Sequence, residues 1–156
     1  SGEEQLTFTD DWQEGAPFYL PDNKTILFRA WKRSEYGKIN PPPMTVFTLD
    51  AESRKITPRT FDHDMNWAPY PTPDGQHYVF VRIIEDNNWE VFLGDIQGGP
   101  PVRLTYNNGF DGFPSVSPDG QKMLFARKSP GEKGLFTWVM DISSLNVGPK
   151  GKSAKN

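Results

Sequence analysis

A carboxylate, an imidazole and a second carboxylate follow one another at Asp62-His63-Asp64. These side chains are ligands that Ca²⁺ or Mn²⁺ accepts in proteins. Neighbouring residues of an extended strand point to opposite sides, so the three could share one ion only in a loop. The stretch predicts a candidate divalent-cation site at Asp62, His63 and Asp64, with a solvated acidic loop as the alternative. No other cofactor is indicated.

Nucleophilic catalysis has few candidates in this sequence, which contains two histidines and no cysteine. A Ser-His-Asp triad would have to use His63, because His77 follows an expected tight turn. Neither a Gly-x-Ser-x-Gly elbow nor a phosphate-binding loop is present. A catalytic hypothesis therefore depends on His63 with Asp62 or Asp64 and a divalent metal.

Aromatic residues recur beside acids in the segments that separate the expected strands. Flat aromatic faces next to carboxylates suit sugar rings, or the Arg and Lys side chains of a peptide. In the alternative interpretation, Trp12, Trp67 and Phe113 fill the space between neighbouring sheets. The candidate ligand-binding residues are Trp12, Trp31, Tyr36, Asp64, Trp67, Trp89, Phe110 and Asp111.

The elements that must position these residues come from a repeat of about 50 residues. A strand, a Pro-Asp turn and a second strand recur at 16–28, 68–80 and 113–127. Asp-Gly and Asp-Asn tolerate the positive φ of a tight hairpin. The second strands contain continuous apolar runs, which predict burial on both faces of the sheet. These runs are Ile26-Leu27-Phe28, Tyr78-Val79-Phe80 and Met123-Leu124-Phe125.

Further strands follow in a fixed order. The third strands are expected at 45–50, 90–96 and 136–142, each with an Asp that leads into a polar turn. A fourth strand carries an aliphatic-Thr pair, at Ile56-Thr57 and Leu104-Thr105. The same pair occurs near the start, at Leu6-Thr7, and predicts an outer strand over residues 4–9 without a repeat of its own. Residues 148–156 are basic, small and polar, and predict a disordered tail.

Composition excludes several classes of partner. The net charge of −3 at pH 7 gives no positive field for nucleic acid. No apolar run approaches the roughly 20 residues that span a bilayer, so no membrane insertion is expected. An aromatic share of 13% argues against a chain that is disordered throughout.

The repeat resembles the TolB-type propeller repeat, the Pro-Asp relative of the WD repeat. The resemblance rests on a proline four residues before each Pro-Asp pair, an aliphatic-Phe strand after it, and an aliphatic-Thr pair earlier. It is best at 113–126 and weakest at 16–28, where Asn23 replaces the usual Gly, and it covers about residues 4–142. It implies a β-propeller. Such propellers occur as periplasmic partners of lipoproteins, as gating domains beside peptidases and as some polysaccharide lyases.

The predicted fold class is therefore all-β, a β-propeller with three four-stranded blades at about 10–57, 58–105 and 106–142. Propeller rings have four to eight blades, and TolB-type rings resemble six-bladed ones. Three blades would form half a ring with two bare faces. In one solution, a homodimer closes the ring by a strand swap that pairs residues 4–9 of one chain with residues 135–142 of the other. In the other solution, the chain is a fragment and missing sequence supplies the remaining blades.

The expected function is that of a non-catalytic binding scaffold. In a propeller, the connections that carry the candidate residues share one face, here called the loop face, and the Pro-Asp turns lie on the other. A protein partner, or a glycan, would bind on the loop face. The alternatives are a metal-dependent propeller resembling a polysaccharide lyase or hydrolase, and a structural fragment of a larger exported protein. The resemblance implies a periplasmic or secreted location.

Overall fold

The computed structural model describes residues 2–85 and 87–150. Within them, the secondary structure is almost entirely β, with one 3₁₀ turn at Ser143–Leu145. The described part of the chain contains no helix long and apolar enough to cross a membrane. The strands are β1 (Trp12–Tyr19), β2 (Thr25–Lys32), β3 (Thr45–Asp50), β4 (Ile56–Pro58), β5 (Asn66–Pro71), β6 (His77–Glu85), β7 (Asn88–Asp95), β8 (Val102–Arg103), β9 (Phe110–Val116), β10 (Lys122–Lys128) and β11 (Phe136–Asp141).

The strands form three antiparallel units, named here repeat 1 (β1–β4), repeat 2 (β5–β8) and repeat 3 (β9–β11). In each unit, every strand pairs with the next one in the chain. A single parallel bridge, Trp89 to Phe110, connects β7 of repeat 2 to β9 of repeat 3. The all-β class is confirmed and the sheets are open, so the closure of a ring remains a prediction.

The Pro-Asp turns have the chemistry expected of them. The Asp74 carboxylate accepts hydrogen bonds from the Gln76 backbone N–H at 3.0 Å and the Thr72 hydroxyl at 2.6 Å. Asp22 and Asp119 also accept bonds from the residues that follow them. Positive φ occurs at the next position of each turn, at Asn23, Gly75 and Gly120. These local contacts fix the hairpin geometry from which the sheet repeats are built.

Alternate side chains of the second strands pack in opposite directions. Tyr78 and Phe80 of β6 lie in a buried cluster with Leu27 and Val46 of repeat 1. Val79, between them, lies in a second cluster with Met123 and Phe125 of repeat 3. Each fully buried side chain of this size contributes about 1.5–3 kcal/mol. Repeat 2 is therefore the middle layer of a three-layer packing.

The burial predicted from the apolar runs is confirmed in β2 and β6 and wrong in β10. Ile26-Leu27-Phe28 and Tyr78-Val79-Phe80 are buried on both faces, and Met123 and Phe125 are buried as well. Leu124, however, is 48% exposed. It points away from repeat 2, and no described residue forms a further layer over that face of repeat 3.

The outer strand predicted over residues 4–9 is not formed. Residues 2–9 are irregular, and Leu6 packs against an apolar cluster on the outer face of repeat 1. The hydroxyls of Thr7 and Thr9 donate to the two carboxylate oxygens of Glu14, at 2.5 and 2.9 Å. These contacts hold the segment against its own repeat. Within the described chain, residues 4–9 do not pair with residues 135–142, and their pairing between two copies stays a prediction.

One of the two predicted fourth strands differs from its expected position. β4 includes Ile56-Thr57 as expected, but β8 ends at Arg103, before Leu104-Thr105. The Thr105 hydroxyl accepts a bond from the Val91 N–H, and Thr60 accepts the equivalent bond from the Val46 N–H. The structural counterpart of Thr105 is therefore Thr60, and not Thr57 of the Ile56-Thr57 pair with which the sequence repeat matches it.

The segment after the 3₁₀ turn packs against the repeats. Val147 is buried in the cluster between repeats 2 and 3, and its carbonyl accepts a bond from the Asp74 N–H at 3.0 Å. The Lys150 ammonium donates to the Gln76 side chain. Of residues 148–156, for which a disordered tail was predicted, residues 151–156 lie outside the described part of the chain.

Candidate binding site

Four aromatic side chains of repeats 2 and 3 form what we call the aromatic cluster: Trp67, Trp89, Phe110 and Phe113. The Trp67 ring lies 4.8 Å from Phe113 and 5.9 Å from Trp89, and Trp89 lies 5.8 Å from Phe110, between ring centroids. The edge-to-face and tilted geometries are those that aromatic pairs prefer. The structure thus unites three of the predicted binding residues with Phe113.

A recurring irregularity of the first strand of each repeat positions this cluster. Positive φ occurs at Ala16 in β1, Ala68 in β5 and Phe113 in β9. The pairing of each of these strands with the next one shifts register. A bulge of this kind bends the strand and redirects its side chains. Trp67 directly precedes the bulge residue of β5, and its ring meets the ring of Phe113.

Two clefts border the aromatic cluster. The first, named the loop cleft, has a volume of about 490 Å³ and lies where the β6–β7 and β10–β11 connections meet the start of β9. The second, named the inner pocket, has a volume of about 320 Å³ and lies along the first strands of the three repeats. Trp89 and Phe110 line the loop cleft, and Trp67 and Phe113 line the inner pocket.

The loop cleft has a mixed lining. Its residues include the aromatic rings of Trp89 and Phe110, the charged side chains of Lys128 and Glu132, and the amide of Asn108. Lys128, Glu132 and Asn108 are exposed. The two aromatic faces can bind an apolar side chain of a ligand, while the charged groups and the amide bind a polar group of the same ligand.

A buried ionic network supports the floor of this region. Asp111 is fully buried and Arg127 binds both of its carboxylate oxygens, with Nε to Oδ1 at 2.8 Å and Nη2 to Oδ2 at 2.6 Å. The Asp111 carboxylate raises the pKa of Arg127. Glu90, also fully buried, accepts bonds from Arg103 at 2.8 Å and the Thr105 hydroxyl at 2.5 Å. Asp111 was predicted to bind a ligand, and the structure places its carboxylate inside the protein with both oxygens bound by Arg127.

The proposed metal ligands are engaged elsewhere. Asp62 accepts a bond from Arg82 Nη2 at 2.6 Å, and Asp64 lies 3.7 Å from Arg82 Nη1. His63 is exposed. Among the described residues, no three His, Cys, Asp or Glu side chains converge to hold a metal ion. The structure therefore does not bring Asp62, His63 and Asp64 together as one ligand set.

The other predicted binding residues lie on repeat 1 at two different places. Trp31 and Tyr36 face each other at 6.4 Å beside the inner pocket, where the guanidinium of Arg29 lies between the rings of Trp31 and Trp67. Trp12 packs on Phe47 at 5.3 Å on the outer face of repeat 1. Trp12 is therefore separate from the aromatic cluster, in agreement with its alternative interpretation as a packing residue.

Arg29 is one of the site residues that sequence reasoning missed. In the repeats, Arg82 and Arg127 stand two residues after the phenylalanine that ends the apolar run of their strand. Arg29 stands only one residue after the equivalent Phe28. Neighbouring strand residues point to opposite faces, so this offset turns Arg29 towards repeat 2. The offset was visible in the sequence, but its consequence required the sheet packing.

No family model matches the chain. It is 25% identical to TolB from Acinetobacter baumannii, whose crystal structure superposes with a TM-score of 0.73 over 93% of this chain and 33% of that one. The β-propeller domain of the Trilobed protease from Pyrococcus furiosus, 14% identical, superposes with a TM-score of 0.61 over 88% of this chain and 42% of that one. The second likeness shows the fold alone.

Among curated proteins, an uncharacterized protein of Agrobacterium fabrum is 30% identical over 74 residues. The match covers 47% of this chain and 25% of the relative. The chain thus spans about a third of the TolB structure and a quarter of this relative.

Proposed function

This chain consists of TolB-like β-propeller repeats, and we propose that it is a non-catalytic scaffold that binds a protein partner in the loop cleft. The observation that carries the proposal is the pairing of two aromatic faces, Trp89 and Phe110, with the exposed charges of Lys128 and Glu132 in one cleft. Aromatic rings are enriched in the centres of protein interfaces, with polar groups around them. The likeness to TolB supports a binding role and a periplasmic or secreted location as parts of the same proposal.

A peptide is the ligand that we propose for the loop cleft. Two amides, Asn87 and Asn108, the Ser129 hydroxyl and one charge of each sign lie around the two aromatic rings, so the cleft combines an apolar floor with a polar border. An aromatic floor with a Lys and a Glu at its border matches an extended segment with alternating apolar and charged side chains. A glycan remains the competing ligand for the test.

Peptides selected from a random display library on the immobilised protein test this proposal. We expect the selected peptides to bind the wild-type protein and to lose at least tenfold in affinity to Lys128→Glu. Lys122→Glu is the matched control, because Lys122 and Lys128 are both exposed and lie at opposite ends of β10. Lys122→Glu should bind as the wild-type protein does.

Two outcomes would contradict the proposed site. If no peptide is enriched while a glycan array gives binding that Lys128→Glu abolishes, the cleft binds glycans. If the selected peptides bind both variants equally well, the partner binds elsewhere. Thermal melting of both variants separates a lost contact from a lost fold.

We also propose that a second copy of the chain completes the propeller. Leu124 and Val139 are cross-strand neighbours on the outer face of repeat 3 and are 48% and 60% exposed. No described strand pairs with the outer edge of β11, where Phe136 and Trp138 are also exposed. Open sheet edges with apolar side chains favour association. The complementary surface would be the outer face of repeat 1, where Leu6 packs on the buried side chains of Ile26 and Phe28, so residues 2–9 would have to be displaced by the second copy.

A further inference from the structure

Arg29 differs in its surroundings from three other partly buried arginines, Arg82, Arg103 and Arg127. Arg59 is also partly buried and has no carboxylate within 4.0 Å among the described residues, but its Nε donates to the Thr48 hydroxyl at 2.8 Å. Arg82, Arg103 and Arg127 each have a carboxylate oxygen within 2.6–2.8 Å. For Arg29, no carboxylate of residues 2–85 and 87–150 lies within 4.0 Å, and its Nε is buried without a hydrogen-bond partner. Burial lowers the pKa of its guanidinium. Among the described residues, the positive charge of Arg29 therefore has no carboxylate partner.

The groups around Arg29 compensate its charge only in part. Its guanidinium carbon lies 5.2 Å from the Trp31 ring centroid and 5.8 Å from that of Trp67. Nη1 donates to the Met44 sulfur at 3.0 Å. Aromatic faces attract a cation, and a thioether is a weak acceptor, but neither replaces the two oxygens that a guanidinium fork binds best.

Arg29 lines the inner pocket, and the rest of that lining is mostly carbon. Phe18 and Tyr70 are in edge contact at 5.0 Å, and Trp67 and Phe113 form a second aromatic pair at 4.8 Å. The remaining lining residues are Ala16, Ala68, Pro69 and Pro114. A volume of about 320 Å³ accommodates one or two amino-acid side chains.

We propose that the inner pocket binds a carboxylate that is carried on an apolar peptide segment, with the Arg29 guanidinium as its anchor. The carboxylate accepts hydrogen bonds from Arg29, and an adjacent apolar side chain of the ligand lies against the Phe18–Tyr70 and Trp67–Phe113 pairs. This site is separate from the loop cleft, which lies on the other side of the aromatic cluster.

The lining of the inner pocket favours a peptide over a sugar acid as the molecule that carries the carboxylate. A uronic acid also has a carboxylate, but each of its hydroxyls needs a hydrogen-bond partner when water is removed, and the carbon-rich lining offers few. A peptide can place an apolar side chain beside either its terminal carboxylate or an acidic side chain. Both sources share the chemistry proposed here, and the probes can separate them.

Isothermal titration calorimetry of the wild-type protein with three peptides tests the proposal. The probes are N-acetyl-Leu-Phe with a free terminal carboxylate, the same peptide as its C-terminal amide, and N-acetyl-Glu-Leu-Phe amide. We expect the first or the third to bind at least tenfold more tightly than the plain amide. Tighter binding of the first indicates a chain terminus, and tighter binding of the third indicates an acidic side chain.

Variants of Arg29 link this binding to the proposed anchor. Arg29→Gln should lose at least tenfold in affinity for the preferred peptide. Arg29→Lys should lose less, because lysine keeps the positive charge although it lacks the planar guanidinium that binds both carboxylate oxygens. Arg54→Gln is the matched control, since Arg54 is an exposed arginine paired with Glu4. Lys128→Glu should also leave the binding unchanged, so failure here and failure of the loop-cleft proposal can be distinguished.

Three results would overturn the proposal. Equal binding of all three peptides to the wild-type protein would show that the carboxylate is not recognised. Binding of galacturonate tighter than that of the peptides would show that the carrier is not apolar. A carboxylate preference that persists in a folded Arg29→Gln protein would place the anchor elsewhere. The comparison of probes on the wild-type protein holds even if Arg29→Gln fails to fold.

Discussion

Arg127 binds Asp111 through two parallel hydrogen bonds, at 2.8 and 2.6 Å, and the Asp111 carboxylate is completely removed from solvent. Arg127 comes from β10 and Asp111 from the neighbouring strand β9. A bidentate pair of this kind fixes the orientation of both side chains. It supports the floor of the loop cleft and engages both oxygens of Asp111, an acid of the predicted binding set, inside the protein.

Removal of one partner of this pair should be costly. We expect Asp111→Ala to reduce the free energy of unfolding by about 3 kcal/mol, because Arg127 would keep a partly buried charge without its anion. Urea unfolding followed by tryptophan fluorescence measures the change. Arg54→Ala, which breaks the exposed pair with Glu4, is the control and should cost less than about 1 kcal/mol. Equal losses in the two variants would contradict the structural role of the Asp111 pair.

Acid should destabilise the protein through its turn aspartates. The Ser117 hydroxyl and the Gln121 N–H lower the pKa of Asp119 below its usual 3.8. Burial raises the pKa of Asp74, but its bonds from Thr72, Gln76 and His77 outweigh this effect and lower it overall. A carboxyl with a lower pKa in the folded state binds fewer protons there than in the unfolded state. Its stabilisation is therefore complete above about pH 4 and is lost as the pH falls through the folded pKa.

Thermal melts between pH 6 and pH 2 test this expectation. The Tm should fall below about pH 4, and the fall should be shallower in Asp119→Asn, which cannot titrate at that turn. Glu52→Gln, at an exposed position paired with Lys24, should keep the wild-type slope. An Asp119→Asn profile identical to that of the wild-type protein would show that the turn carboxylate does not contribute.

The outer face of repeat 3 should control the assembly state. We expect the wild-type protein to sediment at twice the chain mass of 17.7 kDa, and Val139→Lys to sediment as a monomer. Val139 is exposed within one chain, so its substitution should change monomer stability by no more than about 0.5 kcal/mol. Val102→Lys, at a similarly exposed valine of β8, is the control and should remain dimeric. A monomeric wild-type protein would contradict closure by a second copy and favour closure by further repeats of a longer chain.

Divalent cations should have little effect on stability. Asp62 and Asp64 lie 2.6 and 3.7 Å from Arg82, so a metal ion would have to compete with an existing cation. We expect addition of Mn²⁺ or Ca²⁺ to leave the Tm unchanged. A rise in Tm that disappears in His63→Ala would contradict this expectation and support the metal-dependent alternative, since a ligand that binds only the folded state stabilises it. His77→Ala supplies the control for loss of a histidine.

The local sequence was enough to predict the hairpins and much of the strand order. Pro-Asp-Gly and Pro-Asp-Asn encode a turn within a few residues, and the strands on both sides follow from their apolar runs. β3 was predicted with its observed bounds, and the apolar runs predicted for the second strands lie within β2, β6 and β10. Trp89 and Phe110 were both predicted on the loop face, and their rings lie 5.8 Å apart near the starts of β7 and β9.

Only the tertiary structure decided which side chains are available for binding. Asp111 looks like a loop acid in the sequence, and it is buried because Arg127 reaches it from the next strand. Leu124 looks like a core residue, and it is exposed because burial needs a further layer that the described chain does not supply. Arg29 looks like an ordinary strand arginine, and it lines a pocket because a one-residue offset reverses its face. Turn formation depends on neighbouring residues, whereas exposure and charge pairing depend on what the rest of the fold places opposite each side chain.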